Sequence, residues 1–475
     1  MRKLKIYFGD LSYHNRHTLT TRYTPLNVGF LAQFIEQKFA NDVTISIDKE
    51  VSKFLSRLEI DPPEVVGLSL YYWNTELTRY AVDYIRNRYG DKIKIFLGGP
   101  SIDSDKTEQE QLLNGKFHNV DAIVENEGEL GFFNLVEHVI ASETNTFTTP
   151  IDGAAFLLDG QLVHGKPVGT TLDISQLGSP YLSHLMDDFL DSDYQPLVQT
   201  SRLCPYTCAF CVSGKTRGKL RGFNIEQVKD EITYVAKKYA DKPHHTLFLA
   251  DENFGILKRD IGIAEHIAEC SKRHGYPKKV FFYNDKNFSG TSQTIVEILG
   301  SMNVHGLTLA LQTENPTALK AINRKNVNEE KMEGVIGWAK QKNISTTTEL
   351  IFGLPYETRD SFTTLLDRSV KRGFDKILCH NLFIMDGIEL NRRKQREQFS
   401  LETKYRLLGS NYEEVDGSFV MEHEEVVVKS DSFDYDDYLY IRNINFLFYA
   451  IFVQDFQRWF FKYLVQREVV LSDFV

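Results

Sequence analysis

Three of the five cysteines crowd into one stretch, Ser201-Arg-Leu-Cys-Pro-Tyr-Thr-Cys-Ala-Phe-Cys-Val-Ser-Gly214. Cys204, Cys208 and Cys211 are separated by three and then two residues, so their thiolates can wrap one small inorganic core. A four-iron cluster needs four ligands, and the remaining cysteines, Cys270 and Cys379, stand far along the chain. The fourth iron would be open to a ligand from outside the protein, an arrangement suited to chemistry rather than electron storage. Two plainer readings use the same residues: a zinc site completed by His244 or His245, or three unliganded thiols. Three clustered and two isolated cysteines make no disulfide framework and point to a reducing compartment.

Such a loop must be held by a scaffold, and the pattern around it supplies one. From about residue 195 apolar runs alternate with helical patterns. The candidate strands are 197–200, 246–250, 280–284, 306–311, 346–352 and 376–383, a spacing that predicts a parallel barrel, whole or partial. The cysteine loop directly follows the first of these strands, at the carboxyl end where barrel active sites lie. Asp251-Glu252-Asn253-Phe254 follows the second. Glu349 interrupts an apolar strand, where a carboxylate needs a partner or a ligand.

The first 140 residues alternate as well. Runs at 3–8, 43–47, 65–70, 93–97 and 122–124 read as strands buried on both faces, interleaved with helices, which predicts a doubly wound parallel sheet. Three loops stand at its carboxyl edge: 69–75 (SLYYWNT), 98–101 (GGPS) and 125–129 (ENEGE). Glycines there let a backbone approach a flat ligand closely. A hairpin over 154–163, turning at Asp159-Gly160, bridges to the barrel. The expected division is 1–145, a linker at 146–194, the barrel at 195–390 and an α-rich extension at 391–475, whose aromatic stripe is expected to dock on the barrel.

Composition bounds the function. The chain has 475 residues, 55 Lys+Arg against 65 Asp+Glu, and a net charge of −10, which argues against general nucleic-acid binding. Its most apolar stretch, 444–453, is far short of the roughly 20 residues that span a bilayer. With no apolar signal core near Met1, a cytoplasmic protein is expected.

The cysteine loop, with aromatic Phe210 before its last cysteine, resembles the hallmark of the radical S-adenosylmethionine superfamily. The resemblance continues through Leu309-Ala-Leu-Gln-Thr-Glu314, the LKAINR segment at 319–324, and Ile351-Phe-Gly-Leu-Pro-Tyr-Glu-Thr358. Met385-Asp-Gly-Ile-Glu-Leu390 stands where many relatives have a P-G-T-x-L turn. The resemblance implies a 4Fe-4S cluster on Cys204, Cys208 and Cys211. It also implies S-adenosylmethionine contacts from Phe210, Asp251, Glu252, Gln312 and Glu314, and a 5′-deoxyadenosyl radical released on reduction.

The N-terminal loops resemble those of the cobalamin-dependent subclass. Gly67 to Asn74 is similar to its G-x-S-x-Y-x-W-N stretch, Gly98-Gly99-Pro100 to its G-G-P turn, and Glu127-Gly128-Glu129 to part of its G-E-G-E turn. This implies a Rossmann-like cobalamin domain whose contacts come from Ser69, Tyr71, Trp73, Asn74, Gly98, Gly99, Pro100, Glu127 and Gly128. The D-x-H-x-x-G motif that supplies a histidine to cobalt is missing after Asp10. The implied activity is methylation of an unactivated carbon (or phosphorus) centre of a small-molecule or peptide substrate, with flavodoxin or ferredoxin as electron donor. The alternatives are a non-methylating ring formation or rearrangement, a non-catalytic cobalamin- or metal-binding sensor, and a first domain that only packs on the barrel. Methylthiotransferases are disfavoured, since no cysteine precedes Cys204.

Overall fold

A computed structural model describes residues 3–15, 18–142, 146–168, 171–213 and 218–470. Gly214, the last residue of the cysteine stretch, lies outside the described residues.

The first sheet has seven strands: β1 (Leu4–Ser12), β2 (Val43–Glu50), β3 (Val65–Ser69), β4 (Lys94–Gly98), β5 (Ala122–Val124), β6 (Ala154–Leu158) and β7 (Gln161–His164). Their order is 2-1-3-4-5-6-7. The first five are parallel, with Ile6 opposite Val65 and Val65 opposite Lys94. The hairpin β6–β7 joins antiparallel at β5, Ile123 facing Ala155. It therefore extends the first sheet rather than standing free as a linker. Helices such as Leu26–Phe39 and Thr75–Tyr89 cover the faces, so β3 is buried along its whole length. The order reverses between β1 and β3, which makes that edge the ligand crevice of the sheet.

The barrel has the six expected strands: β8 (Leu197–Val198), β9 (Thr246–Leu249), β10 (Lys279–Phe281), β11 (Leu307–Thr308), β12 (Thr346–Phe352) and β13 (Lys376–Asn381). They form two parallel triplets, joined where Val280 bridges to Asn303. Its helices start on capping side chains. Asn224 accepts from the Glu226 and Gln227 amides, and Thr358 from that of Ser361. Residues from the first unit seal the β8 edge: the Thr24 amide donates to the Gln195 carbonyl at 3.0 Å. One apolar core runs through the barrel and takes in Phe30 and Phe34 from the first unit and Ile441 and Phe448 from the extension.

The extension adds strands to its helices. A short β14 (Phe383–Ile384) leads to a long antiparallel pair, β15 (Glu402–Val415) and β16 (Ser418–Lys429). The turn is Asp416-Gly417, both at positive φ (47° and 78°), the geometry that matches strand twist. The helices Tyr435–Phe452 and Arg458–Gln466 follow. The first packs on β13 and buries Ile441 and Phe448, while Phe446 and Trp459 remain exposed. No described helix is long and apolar enough to cross a membrane.

The hairpin clamps the first unit at the start of helix Thr75–Tyr89. Glu422, 1% exposed, accepts from the Tyr13 hydroxyl at 2.7 Å and from the backbone N–H groups of Glu76 (2.7 Å) and Leu77 (3.2 Å). Burial pushes its carboxyl up to about 7 from 4.5. Between those values the folded chain keeps a proton that the unfolded chain has released. Stability from this group therefore falls as pH rises through the window and is level above it. Glu422→Gln keeps the accepting oxygen and removes the ionisation. It should be more stable than the parent by about 3 kcal/mol above pH 7, with no gain at pH 4. Thermal melts at the two pH values measure this, and an unchanged pH slope would reject it.

Candidate active site

The cysteine loop leaves β8 through Leu203, whose positive φ of 71° turns the chain sharply into Cys204. Its middle is pinned from both sides. The Ala209 N–H donates to the Ile322 carbonyl at 3.1 Å, and the Ala209 carbonyl accepts from the Leu390 N–H at 3.1 Å. The turn at 385–390, whose sequence departs from the usual pattern, thus still holds the loop. Ile388 and Leu390 are buried beneath it.

All three thiols are free and half-buried. Asn253 Nδ2 lies 3.1 Å from Cys204 Sγ, and Arg324 Nη1 lies 3.7 Å from Cys208 Sγ. A second arm of the same guanidinium bonds the Ala310 carbonyl, which fixes its direction. Lys286 stands over the Tyr206 ring at 4.0 Å, and burial, then the Arg324 charge, lowers its pKa. Burial, then the charge of Glu252, pushes the Cys211 thiol up to about 12, and burial raises Cys204 as well. A bound cation would offset this and favour the thiolate forms of Cys204 and Cys211. Free sulfurs ringed by N–H donors and cationic side chains suit a metal–sulfur core, since donors to sulfur tune such clusters.

Beside this loop lies a cavity of about 280 Å³ at the switch point of the first sheet. Ser69, Tyr71, Gly98, Gly99, Pro100, Glu127 and Gly128 line it from the first unit, and Leu203, Val212, Ser213 and Glu252 from the barrel. The glycines there differ in meaning. A Cβ on Gly99 (φ 115°) would sit 2.6 Å from the Leu70 carbonyl oxygen, and one on Gly128 would sit 2.9 Å from a Leu31 methyl. Packing accounts for both. A Cβ on Gly98 meets nothing closer than 3.7 Å, so protein contacts do not call for glycine there, and the space over it is open to a ligand. The mostly apolar wall with few polar groups suits an apolar ligand face, and at about 280 Å³ it can seat only part of a large flat cofactor.

Two of the contacts expected in the 69–75 loop, Trp73 and Asn74, lie off the cavity wall. Asn74 is fully buried. It accepts from the Tyr71 N–H (2.8 Å) and donates to the Leu11 (3.0 Å) and Ser69 (3.1 Å) carbonyls, so it shapes the loop. Trp73 stacks on Tyr71 at 4.2 Å, and Asn411 of the hairpin donates to its carbonyl. Ser69 donates to Asp10 at 2.7 Å, which Lys49 neutralises at 2.8 Å.

The acidic candidates separate. Asp251 is buried and accepts from the Thr200 N–H (2.9 Å) and from the Thr200 and Ser201 hydroxyls, tying β8 to β9. Glu252 opens onto the cavity and accepts from Ser213; burial by the surrounding protein pushes its carboxyl up. Glu314 pairs with Arg368 (3.1 Å) and Arg372 (2.7 Å) of the outer helix Arg359–Arg372, while its Oε2 makes no hydrogen bond among the described residues. Gln312, at φ 63°, is buried with its side-chain oxygen unpartnered, and its side chain bonds Glu349. Burial raises Glu349, opposed by His380, Arg324 and that bond. Phe210 packs partly buried against the core. His244 and His245 precede β9, at the opposite end of that strand from Asp251, so neither completes a zinc site on the cysteine loop. Asn253 and Arg324 stand inside the 251–254 and 319–324 segments without a role assigned from sequence, and Lys286 stands in no motif; the fold brings all three to the sulfurs.

The Radical SAM superfamily model matches residues 198–369. The cobalamin-dependent radical SAM methyltransferase TokK of Streptomyces tokunonensis is 28% identical over 412 residues, 84% of this chain and 58% of that protein. The 2-(S-pantetheinyl)-carbapenam-3-carboxylate methyltransferase of Streptantibioticus cattleyicolor is 27% identical over 487 residues, 98% of this chain and 67% of that protein. The chain thus spans about three-fifths to two-thirds of the length of these relatives. The structure of the methyltransferase TsrM from Kitasatospora setae, with cobalamin and an iron–sulfur cluster bound, superposes with a TM-score of 0.63 at 13% identity. It covers 90% of this chain and 84% of that one, and the likeness shows the fold.

Proposed function

We propose that this chain is a radical S-adenosylmethionine enzyme, a cobalamin-dependent methyltransferase acting on an unactivated carbon (or phosphorus) centre of a small molecule or peptide. The observation that carries this reading is a shared wall. Leu203, Val212 and Ser213 flank the cysteines and also line the cavity at the switch point, so a cluster site and a corrinoid site meet there. When bound, the reduced cluster supplies an electron to the sulfonium of S-adenosylmethionine, and cobalamin carries the methyl group.

In this reading Cys204, Cys208 and Cys211 would hold the cluster, with Asn253 and Arg324 donating to the Cys204 and Cys208 sulfurs. Glu252, fixed by Ser213, would hold the amino group of S-adenosylmethionine, and Gln312 and Glu349 would supply acceptors for its hydroxyls. Asp251 keeps β8 and β9 in register beneath the loop. Tyr71, Gly98, Pro100 and Gly128 form the corrinoid wall, with Asn74 and Trp73 behind it as props. A one-electron donor such as flavodoxin or ferredoxin would reduce the cluster in a reducing, cytoplasmic setting, and the net charge of −10 argues against a nucleic-acid substrate.

Anaerobic reconstitution with iron, sulfide and cobalamin tests the reading. With reductant and methyl-labelled S-adenosylmethionine, the chain should yield both 5′-deoxyadenosine and S-adenosylhomocysteine. Cleavage without methyl loss would favour a non-methylating radical enzyme; cobalamin retention without cleavage would favour a sensor. Gly98→Leu should lose cobalamin while keeping iron. Undiminished cobalamin in that variant would reject the cavity as its site.

A further inference from the structure

At the base of the barrel, away from the cysteine loop, three side chains converge that no step above uses. His245 is 3% exposed, and neither of its ring nitrogens makes a hydrogen bond among the described residues. Its Nε2 nevertheless stands 2.9 Å from Asp193 Oδ1. A nitrogen of His244, whose ring lies 4.3 Å from that of His245, completes a trio of potential ligand atoms all within 4.8 Å of one another. We propose that Asp193, His244 and His245 form a second metal site, for a borderline divalent ion of the zinc class, which staples the base of the barrel.

Chemistry favours this class of ion. Two imidazoles and one carboxylate suit zinc and its neighbours, whereas calcium and magnesium prefer all-oxygen sets. Ligand bonds of about 2.0–2.2 Å let one ion bridge a nitrogen and an oxygen that stand 2.9 Å apart. A buried imidazole that approaches a carboxylate so closely without bonding it is otherwise a cost.

The nearby cations do not fill the space. Arg22 pairs with the other Asp193 oxygen, Oδ2, and with its carbonyl, as an outer partner commonly does for a ligating carboxylate. Lys242 is turned away, its ammonium donating to the carbonyls of Leu190, Asp191 and Ser192 at 2.8–3.0 Å. An ion here would tie the Asp193 loop to the start of β9, and through Arg22 on Asp193 it would also hold the first unit. His244 and Asp193 are exposed, so an ion can enter from solvent.

The test uses the full chain with Cys204, Cys208 and Cys211 changed to serine, so that thiols cannot compete. After dialysis against zinc, elemental analysis should find one zinc per chain. His244→Ala should weaken binding by at least about 10-fold, and cobalt(II) should give visible absorption bands that this variant lacks. No retained zinc, or equal uptake by His244→Ala, overturns the site. In the reconstituted chain with its cysteines intact, zinc measured beside iron must fall in the same variant, and its persistence also rejects the proposal. Iron content and cleavage of S-adenosylmethionine are read separately, so failure here leaves the cluster assignment standing.

Discussion

Changing Cys208 to alanine should strip the loop of its iron and abolish cleavage of S-adenosylmethionine while the fold survives. With one of three sulfurs gone, two protein ligands remain, too few to hold a cluster with one corner open. Activity should fall by at least about 10⁶-fold, the lower end of enzymatic rate enhancements, because the electron route is lost outright. The scaffold has little reason to change. Cys208 is only half-buried, and the loop is held by the backbone of Ala209 against Ile322 and Leu390, not by the thiol. Arg324 loses one weak acceptor but keeps the Ala310 carbonyl and Asn326. The melting midpoint should therefore move by less than about 1 kcal/mol equivalent. Iron analysis, the visible spectrum and a thermal melt read these outcomes together. Near-normal iron would remove Cys208 from the ligand set.

Why was that loop legible from sequence when other features were not? Its signal is local: three cysteines within one turn-sized segment, after an apolar run. The strands of both sheets were legible for a similar reason, since runs such as Val65–Ser69 leave no polar face. The β15–β16 hairpin carried its own local signal, Asp416-Gly417, but its flanking strands are crowded with Glu, Lys and Arg. One face of the pair is solvated, and β16 buries mainly Val420, Glu422 and Val426–Val428. An acidic stretch with scattered aromatics therefore read as a helical extension.

Side-chain roles divided along another line. The pattern around Ser69–Thr75 correctly marks a loop at the ligand edge, yet it does not distinguish Tyr71, on the cavity wall, from Asn74, which bonds only the loop and strand around it. Likewise the acidic residues after β9 and β11 look equivalent in one dimension. Their fates depend on which way the chain turns: Asp251 beneath β8, Glu252 to the cavity, Glu314 outward to two arginines. Donors to the sulfurs come from after β9 and from the segment following β11, and no spacing rule connects them.

The same long-range dependence makes Arg202 the position of largest expected stability loss. It immediately precedes Leu203 and reaches across to the first unit, where its two arms meet Glu127 (3.3 Å) and Glu129 (2.7 Å). Its guanidinium also stands near the Phe30 and Phe223 rings, at 5.1 and 5.2 Å. Glu129 is buried and Glu127 largely so, and one oxygen of Glu129 already lacks a partner. Arg221 supports Glu127 but makes no ion pair with Glu129. Arg202→Met keeps much of the packing and leaves Glu129 charged and unpaired, a change that typically costs 3–5 kcal/mol, or about 4 here. A mere loss of surface charge pairing would cost under about 1 kcal/mol, so the urea midpoint discriminates between the two. Adding Glu129→Gln should recover more than half of the loss, because the stranded charge, not the missing arginine, is what destabilises. Equal instability of the single and double variants would mean that Arg202 acts through packing alone. The site then depends on this bridge in a specific way: the arginine that joins the two units is the residue from which the chain turns into the cysteine loop, so its partners at the start of helix Gly128–Ala141 bear on where the sulfurs stand relative to the cavity.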